Sequence, residues 1–196
     1  MKKDIILCGV GGQGILSIAT VIGEAATRAG IFLKQAEVHG MSQRGGDVQS
    51  HLRLSTETIY SDLIPCGQVD LIIAMEPMEA LRYLPQLAPD GWIITSSAPL
   101  INIPNYPPVD SICQALNALP HVKMHPVEEE ARKLSMPKSA NMILLGMAAS
   151  ALAPLSPDDL AHAIARIFEA KGSSIVAKNQ QAFTLGTQIA ASMGQL

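Results

Sequence analysis

The stretch that most constrains this chain is Ile5-Ile6-Leu7-Cys8, followed by Gly9-Val10-Gly11-Gly12-Gln13-Gly14 and then by residues Ile15–Ala29. Ile15, Ile18, Ala19, Ile22, Ala25, Ala26 and Ala29 recur at helical spacing, so the order is apolar strand, glycine turn, amphipathic helix. In such a unit Gly9 permits the tight turn, Gly11 lets backbone approach a ligand's phosphates and Gly14 lets the helix pack on the strand. The free amides at the helix start, and a dipole end worth about half a positive charge, then face an anion. Gly12 and Gln13 complete the candidate site. The same glycines would also suit a crowded turn that binds nothing. No Gly-Lys-Ser/Thr follows, which excludes a P-loop nucleotidase.

A second glycine-rich turn lies about thirty residues on, as Gly40-Met41-Ser42-Gln43-Arg44-Gly45-Gly46. Residues 32–38 read as a strand ended by His39-Gly40, and residues 47–54 set Val48, Ser50, Leu52 and Leu54 against Gln49, His51 and Arg53. Ser42, Gln43, Arg44, Gly45 and Gly46 are candidate binding residues, because a guanidinium grips phosphate or carboxylate bidentately and glycines leave room for close approach. Both turns are expected at strand C-terminal ends, the side where open parallel sheets bind ligands. Residues 40–44 nearly match a hydrolase nucleophile elbow, but the fifth position is Arg and Ser42 precedes no helix, so Ser42 is not read as a nucleophile.

Strands and helices alternate beyond these turns. Strands are expected at 69–75, 91–97 and 122–127, and helices at 77–84 and 111–119, with a proline-rich extended loop at 99–108. The chain then becomes helical: 138–153 is one helix, Ser156 caps a second that ends at Lys171-Gly172, and a third runs to about Met193. Alternation predicts a Rossmann-like, doubly wound, mostly parallel α/β sheet with a helical C-terminal third, in one domain over residues 1–196.

Composition excludes several partners and chemistries. With 14 basic and 17 acidic residues, a formal charge of −3 and no basic run, the chain is not expected to bind nucleic acid. Asp4 and the polar glycine turn interrupt any signal-peptide core after Lys2-Lys3. The most apolar later run, 140–155, contains Asn141 and falls short of the ~20 residues of a membrane span. A cytoplasmic location and no membrane partner are therefore expected. Cys8, Cys66 and Cys113 form no Cys-x-x-Cys, so this chain alone lacks the four thiolates of a usual iron–sulfur cluster; Cys8 reads as a small core residue. His121 and His125 have i, i+4 spacing but sit between Pro120 and Pro126 in an extended segment, so they read as solvent-facing instead of metal-binding. Glu128-Glu129-Glu130 reads as the solvated first turn of a helix. Met41, Met75 and Met78 suit either a pocket lining or core packing.

Taken together, Gly9-Val10-Gly11-Gly12-Gln13-Gly14-Ile15, the run from Glu37 through Val38-His39 to Gly46, and residues 48–53 resemble the gamma-type domain of 2-oxoacid:ferredoxin oxidoreductases. The likeness is strongest to the variant that forms the beta subunit of indolepyruvate ferredoxin oxidoreductases. It continues at Asn141-Met142-Ile143-Leu144-Leu145-Gly146 and at Asn179-Gln180-Gln181-Ala182-Phe183-Thr184-Leu185-Gly186, while 99–125 matches no motif. The resemblance implies a non-catalytic subunit that holds no cofactor tightly, beside a large alpha subunit carrying thiamine diphosphate and iron–sulfur clusters. The complex would decarboxylate an aryl 2-oxoacid such as indolepyruvate oxidatively to the acyl-CoA, with ferredoxin as electron acceptor. Gly9 to Gly14 and Arg44 to Gly46 would then meet coenzyme A or the partner's cofactor region. Two other readings stay open: a free-standing NAD-dependent Rossmann dehydrogenase, with Glu37 placed like a ribose-binding acid 23 residues past Gly14, and a CoA- or nucleotide-binding module. Against the dehydrogenase stands the lack of a convincing catalytic acid or base.

Overall fold

The computed structural model describes residues 1–39 and 46–194. Six strands form one sheet: β1 (Lys2–Val10), β2 (Phe32–His39), β3 (Asp47–Ser55), β4 (Val69–Ala74), β5 (Leu87–Ser96) and β6 (Val122–His125), in spatial order β2-β3-β1-β4-β5-β6. β1, β4, β5 and β6 run parallel, as expected. β3 lies antiparallel between β1 and β2. Among the described residues the helices are α1 (Ile15–Ala29), α2 (Pro77–Arg82), α3 (Val109–Asn117), α4 (Val127–Lys133), α5 (Ala140–Ala148), α6 (Pro157–Phe168) and α7 (Ser173–Ser192). No helix of the described residues is long and apolar enough to cross a membrane.

The pleat sends alternate strand residues to two cores. Ile5, Leu7, Leu71, Ile73 and Ile94 pack under α1, α4, α5, α6 and α7, while Ile6, Cys8, Ile72, Ala74 and Ile93 pack under α2 and α3. Cys8 is wholly buried, and burial raises its thiol pKa well above the usual value, as suits a small core residue. Every residue of α5 is buried, because this helix lies between the sheet and the outer helices. That is why the apolar run at 140–155 has no helical period. The expected single helix over 138–153 is α5 flanked by 3-10 turns at Pro137–Ser139 and Ala149–Ala151. α6 begins as expected with a reciprocal cap between Ser156 and Asp159.

Two charged groups are spent on architecture. Arg53 donates from Nε and Nη2 to the wholly buried carboxylate of Asp4, at 2.8 and 3.2 Å, and from Nη1 to the carbonyls of Ser61 and Leu63, both at 3.0 Å. It thereby ties the β3–β4 connection down beside β1. Lys123, buried in β6, donates to the carbonyls of Ala190 at 3.1 Å and Gly194 at 2.5 Å and so caps the C-terminal end of α7.

Candidate functional site

The chain leaves β1 through α1, toward β3 and β2, and leaves β4 through α2, toward β5 on the other side. The C-terminal ends of β1 and β4 are therefore the point where the winding reverses, which is where open α/β sheets bind ligands. The glycine turn stands at this point. Gln13 spans it: its Oε1 accepts from the Val10 amide at 2.7 Å and its Nε2 donates to the Met75 carbonyl at 3.0 Å. The side chain of Gln13 thus braces the crevice floor. Gly9 is a packing position, since a Cβ there would lie 2.9 Å from Gln13 Oε1 and 3.1 Å from Met75 Cβ.

The remaining turn glycines divide by role. Gly11 donates its amide to the carbonyl of Gly46 at 2.9 Å, and the Gln13 amide reaches the Val10 carbonyl at 3.1 Å, so both point inward. Gly12 takes a φ of 106° with open space beside it, and Gly14 a φ of 83° at the N-cap of α1. No side chain caps α1, its first turn holds no acidic residue, and the Gly14, Ile15 and Leu16 amides have no backbone acceptor among the described residues. α2 opens on the same crevice in the opposite electrostatic state. The buried carboxylate of Glu76 caps it, with Oε2 accepting from the Glu79 amide at 2.9 Å and Oε1 from the Tyr106 hydroxyl. Of the two helix starts, α1 is the one that suits an anion.

The second glycine turn is placed only by its flanks. Ser42, Gln43, Arg44 and Gly45 lie outside the described residues, as do Gly40 and Met41. Asp47 pairs with Val10 and Val48 with Gly9, so the flank after 40–45 meets the C-terminal end of β1, while His39, paired with Val48, brings the other flank one strand farther out. Gly46 is there too, bonded to Gly11. The antiparallel β3 separates β2 from β1 and moves Glu37 one strand away from the glycine turn, which removes the dehydrogenase reading's ribose contact.

Two expectations change, and one alternative is decided. Glu128 is not a solvated first-turn residue: it accepts a hydrogen bond from Ser96, its Oε1 is buried without a partner, and burial raises its pKa. Glu129 is exposed and Glu130 pairs with Lys133 at 2.8 Å, as solvated residues do. His121 and His125 are half-buried, each against a neighbouring side chain. His121 stacks on Trp92 with ring centroids 5.0 Å apart, and His125 lies 3.6 Å from Glu130. Met75 is core. Sequence reasoning missed Glu76 and Asn141: besides capping α2, Glu76 accepts from Leu100 and Tyr106, and Asn141 donates to Gly14, partners that lie 24 or more residues away along the chain. The cysteines do not gather: Cys8 is buried, Cys66 exposed and Cys113 half-buried, and the described residues hold no group of three metal-ligating side chains. They do not fit an iron–sulfur cluster.

A doubly wound, mostly parallel sheet with a glycine turn and an uncapped helix at its switch point is a Rossmann-like α/β domain. Residues 4–189 match the pyruvate ferredoxin/flavodoxin oxidoreductase family, and the chain belongs to it. The chain is 36% identical to the indolepyruvate oxidoreductase subunit IorB of Methanothermobacter thermautotrophicus, over 97% of this chain and 99% of that one. It is 34% identical to the subunit of the same name from Thermococcus kodakarensis, over 98% of both. In fold it is similar to the gamma subunit of a keto/oxoacid ferredoxin oxidoreductase from Geobacter sulfurreducens, with a TM-score of 0.69 at 22% identity over 97% of this chain and 99% of that one. It also matches 2-oxoglutarate:ferredoxin oxidoreductase from Magnetococcus marinus, solved with 2-oxoglutarate, coenzyme A and succinyl-CoA bound, at a TM-score of 0.79 and 22% identity. There all of this chain covers 32% of the longer one.

Proposed function

We propose that this chain is the small, non-catalytic subunit of a ferredoxin-dependent oxidoreductase that converts an aryl 2-oxoacid, indolepyruvate in the first instance, to its acyl-CoA. The full-length likeness to indolepyruvate oxidoreductase subunits carries this reading. Thiamine diphosphate and the iron–sulfur clusters would reside in a large alpha subunit, since the cysteines of this chain do not gather into a cluster site. Ferredoxin would take the electrons, and the complex would work in the cytoplasm. The whole chain would act as one gamma-type domain.

Coenzyme A would be met at the switch point. The uncapped start of α1, with Gly12 and Gly14 beside it, offers amide donors and a positive dipole end to a phosphate, while Gly9, Gly11 and Gln13 shape the turn. Ser42, Gln43, Arg44, Gly45 and Gly46 would contribute to the same binding site, with the Arg44 guanidinium gripping phosphate or carboxylate. The experiment is reconstitution. Alone the chain should be colourless and inactive; with its large subunit it should support CoA-dependent reduction of a viologen dye by an aryl 2-oxoacid. Arg44→Lys in that complex should raise the KM for CoA or weaken subunit affinity by about ten- to a hundredfold, the loss of a charge-assisted fork. Turnover by the lone chain, or NAD-induced stabilisation of it, would sink the subunit reading.

A further inference from the structure

We infer that Asn141, on the central helix α5, is a positioning residue that aims the amides of the glycine turn. Its Nδ2 donates to the carbonyl of Gly14 at 3.1 Å, across 127 residues of chain. Asn141 is only 8% exposed, and its amide sits so close that a Cβ on Gly14 would lie 2.6 Å from it. Glycine at 14 and asparagine at 141 therefore require one another: the left-handed φ of 83° suits glycine, and the missing side chain leaves the room that the asparagine fills.

The consequence follows from the planarity of the peptide. In a trans peptide the carbonyl and the next amide point in opposite directions. Asn141 holds the Gly14 carbonyl inward, where the Ser17 amide at 3.1 Å and the Ile18 amide at 3.4 Å also reach it. The Ile15 amide of the same plane is thereby fixed outward, toward the crevice. A glycine at φ of 83° has no side chain of its own to fix that plane, so the first turn of α1 holds it from one side and Asn141 of α5 from the other. α5 is a firm base: it is wholly buried and locked against α7 where Gly146 and Gly186 meet. The late motifs of the sequence, around Asn141 and Gly186, thus serve the early one.

This inference rests on the reading that the turn meets a phosphate of coenzyme A, and two variants separate the two. Asn141→Leu keeps the volume of the side chain and deletes the donor; Leu16→Glu, at an exposed position in the first turn of α1, puts a carboxylate at the anion site without touching Asn141. Both are assayed in the reconstituted complex for CoA-dependent dye reduction, with melting temperature and co-purification as checks on folding. We expect Asn141→Leu to raise the KM for CoA about tenfold, the loss of one oriented donor, with kcat within about twofold. Leu16→Glu should raise it at least as much. If Leu16→Glu raises KM while folded Asn141→Leu leaves it within about twofold, the positioning role is wrong and the phosphate site stands. If Leu16→Glu leaves KM unchanged, the phosphate site fails and the positioning role with it. Should Asn141→Leu not fold, Asn141→Ser is measured in its place; its hydroxyl is too short to reach Gly14, so an unchanged KM overturns the inference equally.

Discussion

Gly146 of α5 and Gly186 of α7 meet backbone to backbone: a Cβ on Gly146 would lie 2.1 Å from the Phe183 carbonyl oxygen, and one on Gly186 2.0 Å from that of Ile143. Replacing a mid-helix glycine by alanine ordinarily stabilises by about 1 kcal/mol through propensity. Here the added carbon meets a carbonyl that cannot move without parting the helices, and overpacking of that kind costs about 3 kcal/mol, so the steric effect wins. The net loss of about 2 kcal/mol means that Gly186→Ala should lower the melting temperature by about 4–8 °C at this chain length. A melt within about 2 °C of the parent would show that the helices part freely.

Arg53, on the inner strand β3, is expected to be a costly charge to remove. Arg53→Met keeps the stem but leaves the buried Asp4 carboxylate with only the half-exposed Lys2 as its cation, and frees the Ser61 and Leu63 carbonyls. Breaking such a buried pair costs about 3–5 kcal/mol. Lys2, the other cation on Asp4 at 2.8 Å, is half exposed, and Lys2→Met should cost at most about 1 kcal/mol. Urea melts of the two variants give the contrast; equal losses would contradict it.

These two sites show what the sequence could and could not carry. α1 runs over the residues its apolar period gives, because a helix lying on a sheet buries one face and leaves the rest wet. The direction of β3 was not legible, since alternation is the same in either sense and only pairing with β1 and β2 decides it. α5 is buried all round, so no period marked its ends. Gln13 was found as a turn residue, but its bond to Met75 and the Asn141 bond to Gly14 join segments that no local pattern connects. Glu128 looked like Glu129 and Glu130 because a triple of like charges carries no record of which one the helix turns toward Ser96.

Glu128 gives a pH prediction. Burial raises its carboxyl above the ordinary glutamate value, the Ser96 hydroxyl and Arg132 oppose the shift, and Glu76 adds to it. A carboxyl whose folded pKa is raised contributes stability that is fully present below the unfolded pKa, about 4.3, and is lost as pH rises through the folded value. Glu128→Gln keeps an acceptor for Ser96 and cannot ionise. Its melting temperature should exceed the parent's at neutral pH, and the gap should close on acidification toward the ordinary glutamate range. A gap independent of pH would place the effect in packing instead.

Gln13 supplies the last test. Gln13→Glu preserves shape and leaves an oxygen for the Val10 amide, but turns the Nε2 donor facing the Met75 carbonyl into a second oxygen. Ionised, that oxygen repels the carbonyl it replaces a bond to; protonated, it donates and restores the brace. At neutral pH the variant should lose about 1–3 kcal/mol, the cost of an unmade bond to a buried acceptor. The introduced carboxyl is favoured in its protonated form by the fold, so its folded pKa lies above the unfolded one. The stability it contributes is therefore present in acid and disappears as pH rises through the folded pKa. Melting temperatures of parent and variant, followed from acid to neutral pH, should converge at the acid end. If the two curves stay parallel, Gln13 does not bridge β1 and β4 in solution.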